Sequence, residues 1–193
     1  MRKVIVKAKL SSRDKFETKL SDIDLDFSPI YWQHDRIYIP RDYKKNSNYP
    51  RLTMRTEMIS VDKPPKYSLI LKRHIEDSGI DIAEETVVKD YESAVAMILQ
   101  LGFKPSAEIS RRRQELHMGE GTVIYLDKIE TLPGHYAKIE SEIGPNDSVQ
   151  EARYDLEKTF QTLGESNFIN EPYAELWKSR LFYSAKPSKN SLV

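Results

Sequence analysis

Strand after strand in this chain sets charged side chains on one face and apolar side chains on the other. Residues 3 to 10 place Val4, Val6, Ala8 and Leu10 on one side and Lys3, Ile5, Lys7 and Lys9 on the other, the period of two that marks a strand. Residues 51 to 60 repeat the pattern, with Leu52, Met54 and Met58 against Arg51, Thr53, Arg55 and Glu57. Lys72 falls in a third such run, Arg111 and Arg113 stand at strand spacing in a fourth, and Lys138, Glu140 and Glu142 share a face in the last. Taken singly, each run fits a half-exposed sheet with its charges in water. Recurrence on nearly every strand also fits a closed barrel, with helices over the apolar outside and the charges lining a channel suited to a multiply charged anion.

The remaining punctuation gives the order of elements. Ser11 and Ser12 offer an N-cap for an amphipathic helix over 12–23 carrying Phe16, Leu20 and Ile23. Strands are predicted over 29–40, 51–60, 67–76 and 80–88, with a polar loop at 42–50 and turns at Lys63-Pro64-Pro65-Lys66 and Asp77-Ser78-Gly79. Asp90 caps a helix through Leu101, with Val95, Ile98 and Leu99 as its apolar stripe and Gly102 at its stop. Strands return at 107–118, 122–127 and 135–143, a helix follows from Ser148 to Leu163, and a shorter one is predicted over 171–181. About eight strands joined mostly as hairpins, interrupted by few helices, predict an α+β domain with a mostly antiparallel sheet, curled or closed. The expected organisation is one domain over 1–183, with a helical appendage from about 148, and a flexible tail over 184–193.

Composition removes several functions. Lys plus Arg and Asp plus Glu both number 30, so there is no global field to gather nucleic acid or an anionic membrane. Arg111-Arg112-Arg113 and Lys44-Lys45 are the segments that would favour nucleic acid, and zero net charge places that reading last. The sequence has no cysteine, which excludes disulfides and Cys-based metal sites and suits a reducing, cytoplasmic setting. No apolar run reaches membrane-span length, and the opening alternation predicts no secretory signal. There is no Gly-rich phosphate loop, and His34, His74, His117 and His135 show no ligand spacing.

The order of these pieces resembles the CYTH, or triphosphate tunnel, family, which includes class IV adenylate cyclases, thiamine triphosphatases and inorganic triphosphatases. Val4-Ile5-Val6-Lys7-Ala8-Lys9-Leu10 resembles its opening ExExK strand, and Trp32-Gln33-His34-Asp35-Arg36-Ile37-Tyr38 its QxDxYF strand. Leu52-Thr53-Met54-Arg55 resembles LRxR, Leu69-Ile70-Leu71-Lys72 resembles LTxK, and Leu101-Gly102-Phe103 resembles the LGF that ends a helix. Arg111-Arg112-Arg113 is similar to its KxR strand, Leu126-Asp127 to its LD strand, and Gly134-His135-Tyr136-Ala137-Lys138-Ile139-Glu140 to GxFxEIE. Pro172-Tyr173-Ala174-Glu175-Leu176 resembles a helix near the end of cyclase-type members.

The resemblance implies an eight-stranded β-tunnel flanked by helices, in which Lys7, Arg55, Lys72, Arg111 and Arg113 bind phosphates and Lys7 and Asp127 serve the reaction. It implies Mg²⁺ or Mn²⁺ as cofactor if the protein is catalytic, a triphosphate or nucleoside triphosphate-like anion as ligand, and a homodimer as a partner option. The departures bear on the metal. Lys3 and Ile5 stand at the first two glutamates of ExExK, Lys138 at the first of EIE, and Thr53 at the first Arg of LRxR. Glu140 keeps its matched place, with Glu142 and Glu85 as substitutes for the missing carboxylates, while Lys138 either contacts phosphate or pairs with Glu140. Two functions stay open: a binder of polyanions with reduced or altered metal-dependent catalysis and possible independence of cofactor, or an active metal-dependent triphosphatase or class IV adenylate cyclase-like enzyme.

Overall fold

The computed structural model describes residues 2–21, 27–44, 50–75, 80–119 and 121–184. The alternating segments become β1 (Arg2–Lys9), β2 (Tyr31–Pro40), β3 (Arg51–Met58), β4 (Lys66–Ile75), β5 (Ile80–Val88), β6 (Phe103–Gly119), β7 (Thr122–Ile129) and β8 (Tyr136–Ile143). The helices are α1 (Arg13–Ser21), α2 (Tyr91–Gln100), α3 (Val149–Thr162) and α4 (Tyr173–Ser184). All strand pairs are antiparallel, and the sheet closes as a barrel in the order β1-β5-β4-β3-β2-β6-β7-β8. The Ile23 end of the first predicted helix, loop residues 45–49, the turn at Asp77-Ser78-Gly79 and the tail from residue 185 lie outside the described residues.

Register decides which face is which. Gln33 pairs with Arg111 and Glu57, Asp35 with Arg55, Arg51 with Lys72, Lys3 with Glu142, Lys7 with Lys138, and Arg113 with Asp127. Directly paired residues point to the same side of a sheet, so the charged rows of separate strands share the lumen. The apolar rows therefore face outward, and helices cover them. Val4, Val6, Ala8, Ile124, Leu126, Ala137 and Ile139 pack against Phe16 and Leu20 of α1 and Leu156 and Phe160 of α3. Burying each large apolar side chain contributes about 1.5–3 kcal/mol. Tyr38 and Met54 are covered in the same way by Ala94 and Ile98 of α2.

Asp90 accepts a hydrogen bond from Ser93 N at 3.1 Å and starts α2, and Gly102, at φ +87°, ends it. The buried stripe of α2 is Ala94 and Ile98, whereas Leu99, expected in it, is 41% exposed. Tyr91 and Val95 pack beside that row as partly buried residues, and Leu99 lies outside it. Strand β6 begins four residues earlier than the predicted 107–118, because Phe103 and Lys104 continue the pairing with Pro40 and Ile39. A bulge between Ile37 and Tyr38 accommodates Pro105 there.

The seam of the barrel has a second filler. Among the described residues, β1 pairs with β5 from Arg2 to Val4. Further along its edge, Ile169 N donates to Lys7 O at 2.8 Å and Lys9 N donates to Asn167 O at 3.0 Å. The chain then turns inward, and Tyr173 and Ala174 at the start of α4 pack with Ala107, Ile109, Ile129 and Tyr136, closing that end of the lumen.

Candidate functional site

Eight strands enclose an interior just wide enough for side chains or one small ligand. Here it is filled by ion pairs in layers. Asp35 on β2 accepts from Arg55 Nε at 2.8 Å and Nη2 at 3.1 Å, and also from Arg111 Nη2. Asp127 on β7 accepts from Arg113 Nε at 2.7 Å and Nη2 at 2.8 Å, and Arg111 Nη1 lies 4.0 Å from its Oδ2. Arg111 thus sits between two aspartates. Tyr125 stands between two cations, with the Arg113 guanidinium 4.4 Å and Lys138 Nζ 4.1 Å from its ring centroid. Lys138 pairs with Glu140 Oε1, and Lys3 lies 3.6 Å from Glu140 Oε2.

Burial and charge set the protonation states. Burial raises the Asp35 carboxyl, but Arg111 and then Arg55 outweigh it and hold the group below the usual carboxylate range. Asp127 is likewise lowered, burial being outweighed by Arg113 and Arg111. Glu140 is lowered against burial by Lys138 and Lys3. Lys138 is itself pulled down to about 7: burial, with Arg113 and Lys72 adding to it, outweighs what Glu140 returns. Lys72 acts on Asp35, Lys138 and Glu140 together, which places it in the same enclosure.

Every residue read from the sequence as a site residue lies on the lumen face, but not in one environment. Arg111, Arg113 and Asp127 are buried, and Lys138 and Glu140 are partly so. Glu85 and Glu142 are exposed, Glu142 in register with Lys3 and Glu85 with Ile70. Lys7 reaches the plugged end, where Nζ donates to Glu171 O at 2.7 Å and lies 5.5 Å from the Tyr173 ring centroid. Among the described residues, no group of three His, Asp or Glu side chains could hold a metal ion.

Sequence reasoning left out Asp35, Gln33, Ser68, Tyr125 and Tyr173 as site residues. Gln33 and Asp35 stood at alternate positions of a recognised strand, which was the available signal; Tyr173 stood in the Pro172–Leu176 segment matched to a helix of cyclase-type members, which gave no hint of its place in the lumen. Among the described residues, four buried polar atoms on or facing the lumen have no hydrogen-bond partner: Gln33 Oε1, Ser68 Oγ, Arg111 Nε and Tyr173 OH. Buried polar groups are normally satisfied, so these mark where a ligand or ordered water belongs.

The family model of the CYTH domain matches residues 1–172. The chain belongs to the CYTH family. No curated protein matches it. Among solved structures, this CYTH chain is similar to PH1819 from Pyrococcus horikoshii OT3, at 22% identity and TM-score 0.80, covering 92% of this chain and 99% of that one. It is similar to a candidate adenylate cyclase from Vibrio parahaemolyticus, at 19% identity and TM-score 0.75, covering 92% and 98%. A third is HpAC1 from Hippeastrum, a candidate adenylyl cyclase with a dominant triphosphatase activity, at 16% identity and TM-score 0.60, covering 93% and 96%. At these identities the likeness establishes the fold. No described helix is long and apolar enough to cross a membrane.

Proposed function

We propose that the tunnel binds a triphosphate or nucleotide-type polyanion through Arg55, Lys72, Arg111, Arg113 and Lys138, with reduced or altered metal-dependent catalysis. The observation that carries this reading is the arginine layer: Asp35 and Asp127 fix three guanidiniums edge-on, leaving further N–H donors, Arg111 Nε among them, for phosphate oxygens. Asp127 is a carboxylate at neutral pH and acts here by positioning Arg113. Lys7, held by Glu171 O, serves a phosphate only if that contact is exchanged.

The donor set fits a divalent cation poorly. Mg²⁺ and Mn²⁺ require carboxylate oxygens, and both oxygens of Glu140 already face ammonium groups. Lys138 and Lys3 bring positive charge to the place where the matched family residues are glutamates, so no step is drawn through a metal. The second reading, an active metal-dependent triphosphatase or class IV adenylate cyclase-like enzyme, draws on Glu140, Glu142 and Glu85 and on the activity of HpAC1.

Calorimetric titration with inorganic triphosphate separates the readings. Binding that persists in EDTA and weakens about tenfold in Arg55→Gln, the scale of one charge-assisted hydrogen bond, supports the first. Binding that needs Mn²⁺, with phosphate release from triphosphate or cyclic nucleotide release from an added nucleoside triphosphate that Glu140→Ala abolishes, replaces it with the second.

A further inference from the structure

The outer wall of the barrel carries a second cationic group that the tunnel does not use. Arg112 on β6 and Lys128 on β7 are directly paired across the strands, and their place between Arg111 and Arg113 and beside Asp127 turns both outward. Like charges in direct cross-strand register are unfavourable, and no carboxylate among the described residues forms an ion pair with either. The Arg112 guanidinium lies 5.8 Å from the Trp32 ring centroid, and Lys128 Nζ donates to Gly134 O at 3.1 Å. Neither contact supplies a negative charge.

Arg13 and His135 join them around a cleft of about 110 Å³, walled by Ile30, Gln114 and Leu126 and touched by Arg113, whose side chain turns into the tunnel to Asp127. Arg13 is held there by Gln114 Oε1 and by Glu17 Oε1, at 2.5 Å and 2.7 Å from its Nη2. The neighbouring His135 is lowered from its usual range by burial and then by Lys128 and Arg13, against a smaller opposing effect of Glu17 and Asp14. One water centre needs only ~10–15 Å³, so the cleft holds a tetrahedral oxyanion but not a nucleoside. Arg supplies the planar fork that matches phosphate oxygens, and Lys a point charge.

We propose that this cleft, formed by Arg13, Arg112, Lys128 and His135 on the outside of the barrel, is a binding site for a single phosphate group, separate from the tunnel. The phosphate is either inorganic phosphate or the end of a small monoester, two sources with the same chemistry.

The test follows the His135 ring by NMR in the full chain while inorganic phosphate, glycerol 3-phosphate or chloride is added at fixed pH and ionic strength. A saturable His135 shift is expected with phosphate, retained in the tunnel variant Lys72→Gln and weakened about tenfold in Arg112→Gln/Lys128→Gln, on the scale of a charge-assisted contact. Saturation by the monoester at similar concentration assigns the site to monoesters, and its failure to saturate assigns it to free phosphate. An unmoved His135 in the wild type, an equal response to chloride, or an unchanged response in the double variant overturns the proposal. If the double variant does not fold, Lys128→Gln alone gives the same reading. Loss of triphosphate binding in Lys72→Gln bears only on the tunnel.

Discussion

Replacing Asp127 by Asn removes one charge and leaves the shape of the side chain almost unchanged. Asp127 is 1% exposed and makes two hydrogen bonds to Arg113, itself 2% exposed, with Arg111 4.0 Å away. After Asp127→Asn the buried layer holds Arg55, Arg111 and Arg113 against Asp35 alone. Breaking a buried ion pair from one side costs about 3–5 kcal/mol, because the remaining charge stays desolvated and unpaired. For a chain of this size each kcal/mol lowers the unfolding midpoint by about 2–4 °C, so the expected fall is about 6–20 °C. A polyanion in the tunnel supplies the missing negative charge, so inorganic triphosphate should raise the midpoint of Asp127→Asn by more than it raises that of the wild type. Scanning calorimetry with and without the anion reads both effects. A midpoint within about 2 °C of wild type, below the effect of a single kcal/mol, would refute the view that this layer is a desolvated charge network. Loss of stability without any added response to triphosphate would refute its accessibility to ligand.

Three other outcomes follow from the same geometry. Asp35, Asp127 and Glu140 have lowered values in the folded chain; the stability they contribute is complete above the unfolded carboxylate range and is lost as pH falls below about 4. Chemical denaturation from pH 7 to pH 2 should show a plateau and then a steady decline, and a flat profile contradicts the assignment. Lys138→Glu places a second carboxylate beside Glu140 and removes an ammonium from it, so Mn²⁺ binding by calorimetry should appear or strengthen; no gain means the lysine is not what weakens the metal site. Tyr173→Phe removes a buried hydroxyl without a partner and should change stability by no more than about 1 kcal/mol. Tyr173→Ala empties the plug beside Tyr136, whose ring lies 5.5 Å away, and should cost about 3–5 kcal/mol; equal effects of the two variants would deny the packing role.

The sequence by itself determined the strands, their alternation and their order. Period two is a local property: Val4, Val6 and Ala8 declare one face and Lys3, Lys7 and Lys9 the other without any partner. The caps at Asp90 and Ser148 and the stop at Gly102 are equally local, since each satisfies backbone groups within one turn. Where local signals conflict, reading was poorer: Pro105 concealed the first residues of β6, because only its partner strand shows that a bulge makes room for it. What the tertiary structure alone decided is which face is inside. Either face of an alternating strand can be buried, and the choice depends on closure of the sheet and on α1, α2 and α3 covering the apolar rows. Closure also paired residues far apart in the chain, setting Asp35 against Arg111 and Lys3 against Glu140, and it brought Tyr173 into the end of the tunnel. Charge pairing across a barrel is a sum over distances, and those distances exist only once the chain has closed.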